Sequence, residues 1–144
     1  MTQKSFKKLL LADDDSDDAG LFCEALLEVC PDASCFLAND GNEVLDKLPD
    51  MTELPDLIVL DVNMPLMDGW ECLTLLKSNP EYQDIPVILY STSSRPQDNQ
   101  RARDLGAIFF YTKPEKFGDL KKFLKMVVQN FDKDLRSVLN NIIV

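Results

Sequence analysis

The chain has 144 residues, 45% of them apolar and 28% charged, with a formal net charge of −10. This length suits one domain with a core of its own, needing neither disulfides nor a structural metal. The charge argues against binding nucleic acid by phosphate neutralisation and against an anionic membrane surface, and no bilayer-spanning run or signal-peptide core is seen, so a cytoplasmic protein is expected.

In chain order, the first predicted strand is Leu9–Ala12, and it runs straight into five aspartates within residues 13–18. Ala19, Phe22, Cys23, Leu26, Leu27 and Cys30 then repeat at helical spacing until Pro31 stops the helix. Cys35–Ala38 reads as a second strand. Val44, Leu45 and Leu48 mark a short second helix ended by Pro49. Leu57–Leu60 is the third strand, followed by Asp61. A third helix starts near Gly69, carries Leu73 and Leu76, and breaks at Asn79-Pro80. Val87–Tyr90 is the fourth strand, with Ser91 and Thr92 after it. The fourth helix, Pro96 to Leu105, is mostly polar. Ile108–Tyr111 is the fifth strand and leads into Thr112, Lys113 and Pro114. Phe117, Leu120, Leu124, Val127 and Val128 line the fifth helix.

Short apolar runs without polar alternation suit strands buried on both faces of a parallel sheet. Five of them alternating with helices give an α/β fold: a three-layer (βα)5 doubly wound sheet with right-handed crossovers. Sites in such folds lie at the carboxyl ends of the strands, near a topological switch point. The residues just after each run are therefore the ones to read. They are Asp13, Asp14 and Asp15; Asp61; Ser91 and Thr92; and Lys113.

The chain has no histidine, which removes Ser-His-Asp, Cys-His and histidine–zinc chemistry. A glycine-rich phosphate cradle is also missing from the first loop. Carboxylates at this density repel phosphate directly but attract it through a hard divalent cation such as Mg2+. Asp61 then suits a carboxylate nucleophile forming an aspartyl-phosphate. Lys113 would neutralise one phosphoryl oxygen and Ser91 would donate to another, the positioning and charge stabilisation that phosphoryl transfer asks of a protein.

With these residues in place, the chain closely resembles the receiver domain of two-component response regulators. The resemblance rests on Asp13-Asp14, on Asp61 in DVNMPLMDG, on Ser91-Thr92 after PVILY, and on Lys113-Pro114 after GAIFFYT, and it runs from about Lys7 to Val128. It implies a flavodoxin-like strand order 2-1-3-4-5. It implies Asp61 as phospho-acceptor, Asp14 as the main Mg2+ ligand with Asp13 helping, and Asn63 giving its backbone carbonyl to the metal. Ser91 and Phe110 would be the switch pair, Ser91 drawn inward and Phe110 repacking behind it. Lys113 would pair with the phosphoryl group, and the Lys113–Pro114 bond would be cis. Thr92 and Ser93 would tune the rates. The implied partners are a sensor histidine kinase or histidine phosphotransfer protein and a downstream target on the helix 4/strand 5 face. The implied function is a single-domain switch rather than an enzyme.

Plainer readings stand beside these. Asp15, Asp17 and Asp18 suit helix capping, and Asp68-Gly69 suits a turn. The four cysteines, Cys23, Cys30, Cys35 and Cys72, form no C-x-x-C pair and are expected as reduced core thiols. Asp13, Asp15, Asp17 and Glu24 mimic EF-hand spacing, but Asp18 stands where the loop needs glycine. Two other function classes remain. One is a receiver-like binding module that is never phosphorylated. The other is a phosphatase with an aspartate nucleophile in D-x-D, for which position 17 carries the wrong residue. Residues 1–130 make the receiver unit. Residues 131–144, with Phe131, Leu135, Val138, Leu139 and Ile142 at helical spacing, form an extension that either packs on the domain or makes a homodimer contact.

Overall fold

Five short strands pair side by side in parallel, and their order decides which loops meet. The computed structural model describes residues 6–92, 95–131 and 135–142, the last three of these by backbone alone. The strands are β1 (Lys8–Ala12), β2 (Ser34–Ala38), β3 (Leu57–Asp61), β4 (Val87–Ser91) and β5 (Phe109–Thr112). They form one sheet in the order β2-β1-β3-β4-β5, every pair parallel. The helices are α1 (Ser16–Val29), α2 (Gly41–Lys47), α3 (Gly69–Ser78), α4 (Pro96–Asp104), α5 (Phe117–Gln129) and α6 (Leu135–Ile142). The expected doubly wound fold and strand order are those observed.

Alternate residues of the strands feed two cores. Leu9, Leu11, Val59, Ile88 and Tyr90 pack with α1 and α5 on one face. Leu10, Ala12, Ile58, Leu60, Val87 and Leu89 pack with α2 and α3 on the other. Burial on both faces explains why β1, β3 and β4 carry no polar alternation. Three helices begin on an aspartate cap at the rim of the sheet: Asp15 for α1, Asp40 for α2 and Asp68 for α3. Each carboxylate accepts orphan N–H groups of the first turn.

Two expectations need correction. The run Cys35–Ala38 reads as doubly buried, yet β2 is an edge strand, and Phe36 and Leu37 are exposed. It pairs with β1 on one side and ends the sheet on the other. The cysteines are not all reduced: Cys23 of α1 and Cys35 of β2 form a disulfide. The βα crossover lays α1 beside β2 and brings the two Cα atoms to 5.8 Å, inside the range a bridge spans without backbone movement. Cys72 is the buried thiol that was expected, and Cys30 is half-buried. Burial pushes the Cys72 thiol up to about 12, so it stays protonated and inert.

At the carboxyl end of the chain, Leu135 and Leu139 of α6 are buried in the same core as α1 and α5. Phe131 meets Phe6 edge to face, centroids 5.2 Å apart, and Arg136 donates to the Ala107 carbonyl. The Ile142 side chain lies outside the described residues.

Protein unfolded without reductant is expected to show two reactive thiols, Cys30 and Cys72, and four after reduction. More than two before reduction would mean that the bond does not form. Cys35→Ser, which opens a loop of sequence separation 12, should lower urea stability by about 2 to 3 kcal/mol.

Candidate functional site

The order β2-β1-β3 makes the chain wind one way from β1 and the other way from β3, so the loops after these two strands part and leave a crevice. Asp13 leaves β1 there, its N–H still on the ladder through the Ala38 carbonyl at 3.0 Å. Asp61 is the last residue of β3. Both are buried, whereas Asp14 is exposed. One oxygen from each of Asp13, Asp14 and Asp61 lies within 4.8 Å of the others. That is close enough for one hard divalent cation to draw all three onto itself, so the donor set fits such an ion.

Lys113 reaches the same place from the end of β5. Its backbone N–H donates to the Ser91 carbonyl at 2.7 Å, which fixes the start of its side chain. Its ammonium donates to Asp61 Oδ2 at 2.8 Å and to Asp13 Oδ2 and Asp18 Oδ2 at 3.1 Å each. Burial opposes its charge, but the hydrogen bonds and charges of Asp61 and Asp13 outweigh that and hold its pKa above the ordinary lysine range. The remaining oxygens are held by backbone: Asp13 Oδ1 accepts the Asp15 N–H at 2.9 Å, and Asp61 Oδ1 the Asn63 N–H at 3.0 Å.

Burial raises Asp13 from its ordinary 3.8 to about 6, with the bonds from Asp15 and Lys113 opposing the rise and the Asp61 charge adding to it. A cation on the cluster would reverse that balance by stabilising the ionised form.

Gly69 keeps the β3 loop folded back. A Cβ there would stand 2.5 Å from the Asp61 carbonyl oxygen and 3.0 Å from Val62 Cα, so only glycine lets α3 start this close to the acidic loop. The turn reading of Asp68-Gly69 thus has a physical content: it seats Asp61.

Ser91 is buried at the end of β4, one residue beyond Tyr90, the register partner of Asp61. Thr92 and Asn63 are exposed, and Ser93 lies outside the described residues. Phe110 is already buried, its ring on Trp70 at 5.8 Å, with the Arg101 guanidinium of α4 over the other ring at 4.1 Å. A swing from solvent is not open to it; any change there is a repacking against Trp70 and α4. No cis peptide bond occurs among the described residues, so Lys113–Pro114 is trans, the isomer an X-Pro bond favours by about 0.5–1 kcal/mol.

The capping reading holds for Asp15, whose carboxylate accepts from Asp17 and Asp18 N–H. It fails for Asp18, whose carboxylate faces Lys113. The clue in the sequence is positional: residue 18 extends the Phe22–Ala25–Leu26 buried stripe of α1 back by one turn. The same cap uses up the second anchor of the D-x-D phosphatase pattern, and LLLA is a strand, not an EF-hand helix.

The model of the response regulator receiver domain matches residues 9–125. The chain belongs to that family. Response regulator Rcp1 of Synechocystis is 32% identical over 124 residues, 83% of this chain and 84% of its own. Protein PilG of Pseudomonas aeruginosa is 30% identical over 131 residues, 91% of this chain and 95% of its own. Among solved structures, the phosphorylated cyanobacterial phytochrome response regulator RcpA is similar with a TM-score of 0.79 and 31% identity, covering 88% of this chain and 94% of that one. The Mn2+-bound form of Rcp1 is similar at 0.74 and 30%, covering 84% and 91%. Other relatives are much longer: the chain spans 26% of a probable cyclic di-GMP phosphodiesterase of Vibrio cholerae, at 30% identity. The receiver domain is thus a unit found both as nearly a whole protein and as one part of larger ones.

A pH test follows from Asp13. Its folded pKa lies above the unfolded 3.8, so the native state holds the proton longer. Without metal, the contribution of Asp13 to stability is present below about pH 4 and is lost as pH rises through about 6. A divalent cation offsets that loss only where the carboxyl is ionised. The rise in Tm given by Mg2+ should therefore be larger at about pH 7.5 than at about pH 5. Asp13→Asn should raise the metal-free Tm near neutral pH and remove most of the Mg2+ effect. A Mg2+ gain independent of pH would count against this account of the cluster.

Proposed function

We propose that this receiver domain takes a phosphoryl group from a phosphohistidine on a sensor kinase or phosphotransfer protein and holds it on Asp61. The observation that carries this reading is the joint bonding of Asp13, Asp61 and Lys113 at the strand ends. Asp61 Oδ attacks phosphorus in line, the N–P bond of the donor breaks, and its electron pair returns to the imidazole nitrogen of the partner. The chain has no histidine, so the donor is a second protein or a small phosphate donor.

Asp13, Asp14, Asp61 and the Asn63 carbonyl are the groups that would hold Mg2+, which supplies charge neutralisation for the incoming phosphoryl oxygens. Lys113 stands against Asp61 and is kept charged by it, so it meets the negative charge that develops on transfer without reorganising. Ser91, buried at the end of β4, is the hydroxyl placed to bond a phosphoryl oxygen. Its movement toward the phosphoryl group would disturb the β4–α4 connection, and Phe110 would shift against Trp70 and Arg101. The helix 4/strand 5 face would then change for a downstream target. α4 suits that role because Ala102 is its buried residue and the rest is solvated.

On this reading the protein is a switch rather than an enzyme acting on others. It works in the cytoplasm, where kinases, Mg2+ and donors meet. Among the described residues no helix is long and apolar enough to cross a membrane. Thr92 and Ser93, the two residues after Ser91 in the sequence, would tune phosphoryl lifetime. α6 serves as an added cover for the core, through Leu135 and Leu139.

Incubation with acetyl phosphate and Mg2+ should add the mass of one phosphoryl group, about 80 Da, to the intact chain, as expected for a carboxylate nucleophile. Asp61→Asn and chelation of the metal should each abolish the gain, and Lys113→Ala should slow it by about a hundredfold, the scale of one lost preorganised charge. Full labelling of the Asp61 variant would move the acceptor elsewhere. Failure of the wild type with both acetyl phosphate and beryllofluoride would leave a binding module that is not phosphorylated.

A further inference from the structure

An ammonium has three N–H bonds and no more. In Lys113 all three point at carboxylates, and the third belongs to Asp18 of α1, a residue with no part in the acceptor or metal set. The three partners differ in how easily they release it. The Asp13 side chain is 0% exposed and that of Asp61 8%, whereas Asp18 is 40% exposed. A cavity of about 180 Å³ opens beside the pair, lined by Asp18, Tyr90, Lys113, Pro114 and Phe117 among others. Water there can solvate the Asp18 carboxylate. Its backbone N–H is already capped by Asp15, and Asp17 beside it keeps a negative charge in the first turn of α1, so α1 does not depend on the charge at position 18.

Resting on the reading of Asp61 as acceptor, we propose that Asp18 is a positioning residue that competes with the phosphoryl group for Lys113 and so limits how firmly the phosphorylated state is held. Transfer turns the Asp61 carboxylate into an acyl phosphate, its Oδ–P bond replacing the N–P bond of the donor, and brings anionic oxygens to the ammonium. Asp61 then no longer offers a free carboxylate. Asp18 does: it keeps one of the three N–H bonds on the α1 side and adds a negative charge facing the new one. Both effects weaken the hold on the phosphoryl group.

The test uses the full chain with saturating Mg2+ and beryllofluoride as the phosphoryl stand-in, bound ligand being read by fluorine NMR. Trp70, the one tryptophan of the chain, stacked on Phe110, gives a second reading by fluorescence. Asp18→Asn, which keeps size and polarity, should tighten beryllofluoride on the order of threefold, the scale of a half-exposed ion pair. Asp18→Glu, which keeps the charge, should stay near wild type, and the Asn effect should shrink as salt rises. A merely structural role would weaken binding in Asn, with no salt dependence. An Asn variant that is folded by circular dichroism and binds no tighter than wild type overturns the inference, while wild-type binding keeps the phospho-acceptor reading standing. A wild type that binds no beryllofluoride sinks both.

Discussion

The site is organised around one ammonium held by three carboxylates. Asp13, Asp61 and Lys113 stand at the ends of three different strands, separated by 48 residues or more in the chain. Two unit charges at about 4 Å interact by about 4 kcal/mol at an effective dielectric near 20. At that scale two buried carboxylates without a cation would drive the strand ends apart or take up a proton. Asp13 shows the strain of that choice, being raised to about 6 even with Lys113 in place. Lys113 holds the cluster together but does not neutralise it, and the remaining negative charge is what makes the cluster fit a divalent cation.

The rest of the fold serves that geometry. Parallel pairing points every strand the same way, so all five carboxyl ends open on one rim. The break in winding between β1 and β3 is where Asp13 and Asp61 come together. Gly69 lets α3 start against the Asp61 backbone, and the Lys113 N–H to the Ser91 carbonyl sets the height of the lysine. Aspartates elsewhere on the rim cap helices, so the acidity of the loops has two sources, one structural and one chemical.

On the far side of β5 the aromatic layer connects the rim to α4. Phe110 lies on Trp70, and Arg101 closes the stack from α4. Apart from the Arg101 contact, Ala102 is the buried residue by which α4 meets the core. An element with few buried apolar contacts is drawn from the low-stability end of a structure, and such elements are where a charge event at the rim can be read out. The Cys23–Cys35 bond and the buried Leu135 and Leu139 of α6 belong to the opposite core, with α1 and α5.

Much of this was legible in the sequence alone. The unpolar runs named the strands to within a residue or two, because strands buried on both faces have no reason to alternate. The order of Asp13-Asp14, Asp61, Ser91 and Lys113 after those runs pointed to a candidate site, and the structure brings Asp13, Asp14, Asp61 and Lys113 together there, because a doubly wound sheet gathers its strand ends. What the tertiary structure alone decided are the matters that depend on neighbours across the fold. The exposure of Phe36 and Leu37 follows from the edge position of β2, which no local pattern reveals. The Cys23–Cys35 bond depends on how close the α1 crossover lies to β2. The buried stack of Phe110 depends on Trp70, forty residues away in the chain. Asp15 and Asp18 look alike in the sequence, both being aspartates at a helix start. Asp15 is the extended residue before the helix, so its carboxylate turns back onto the N–H groups of the first turn, whereas Asp18 lies inside that turn and its carboxylate meets Lys113; only the packed fold shows which.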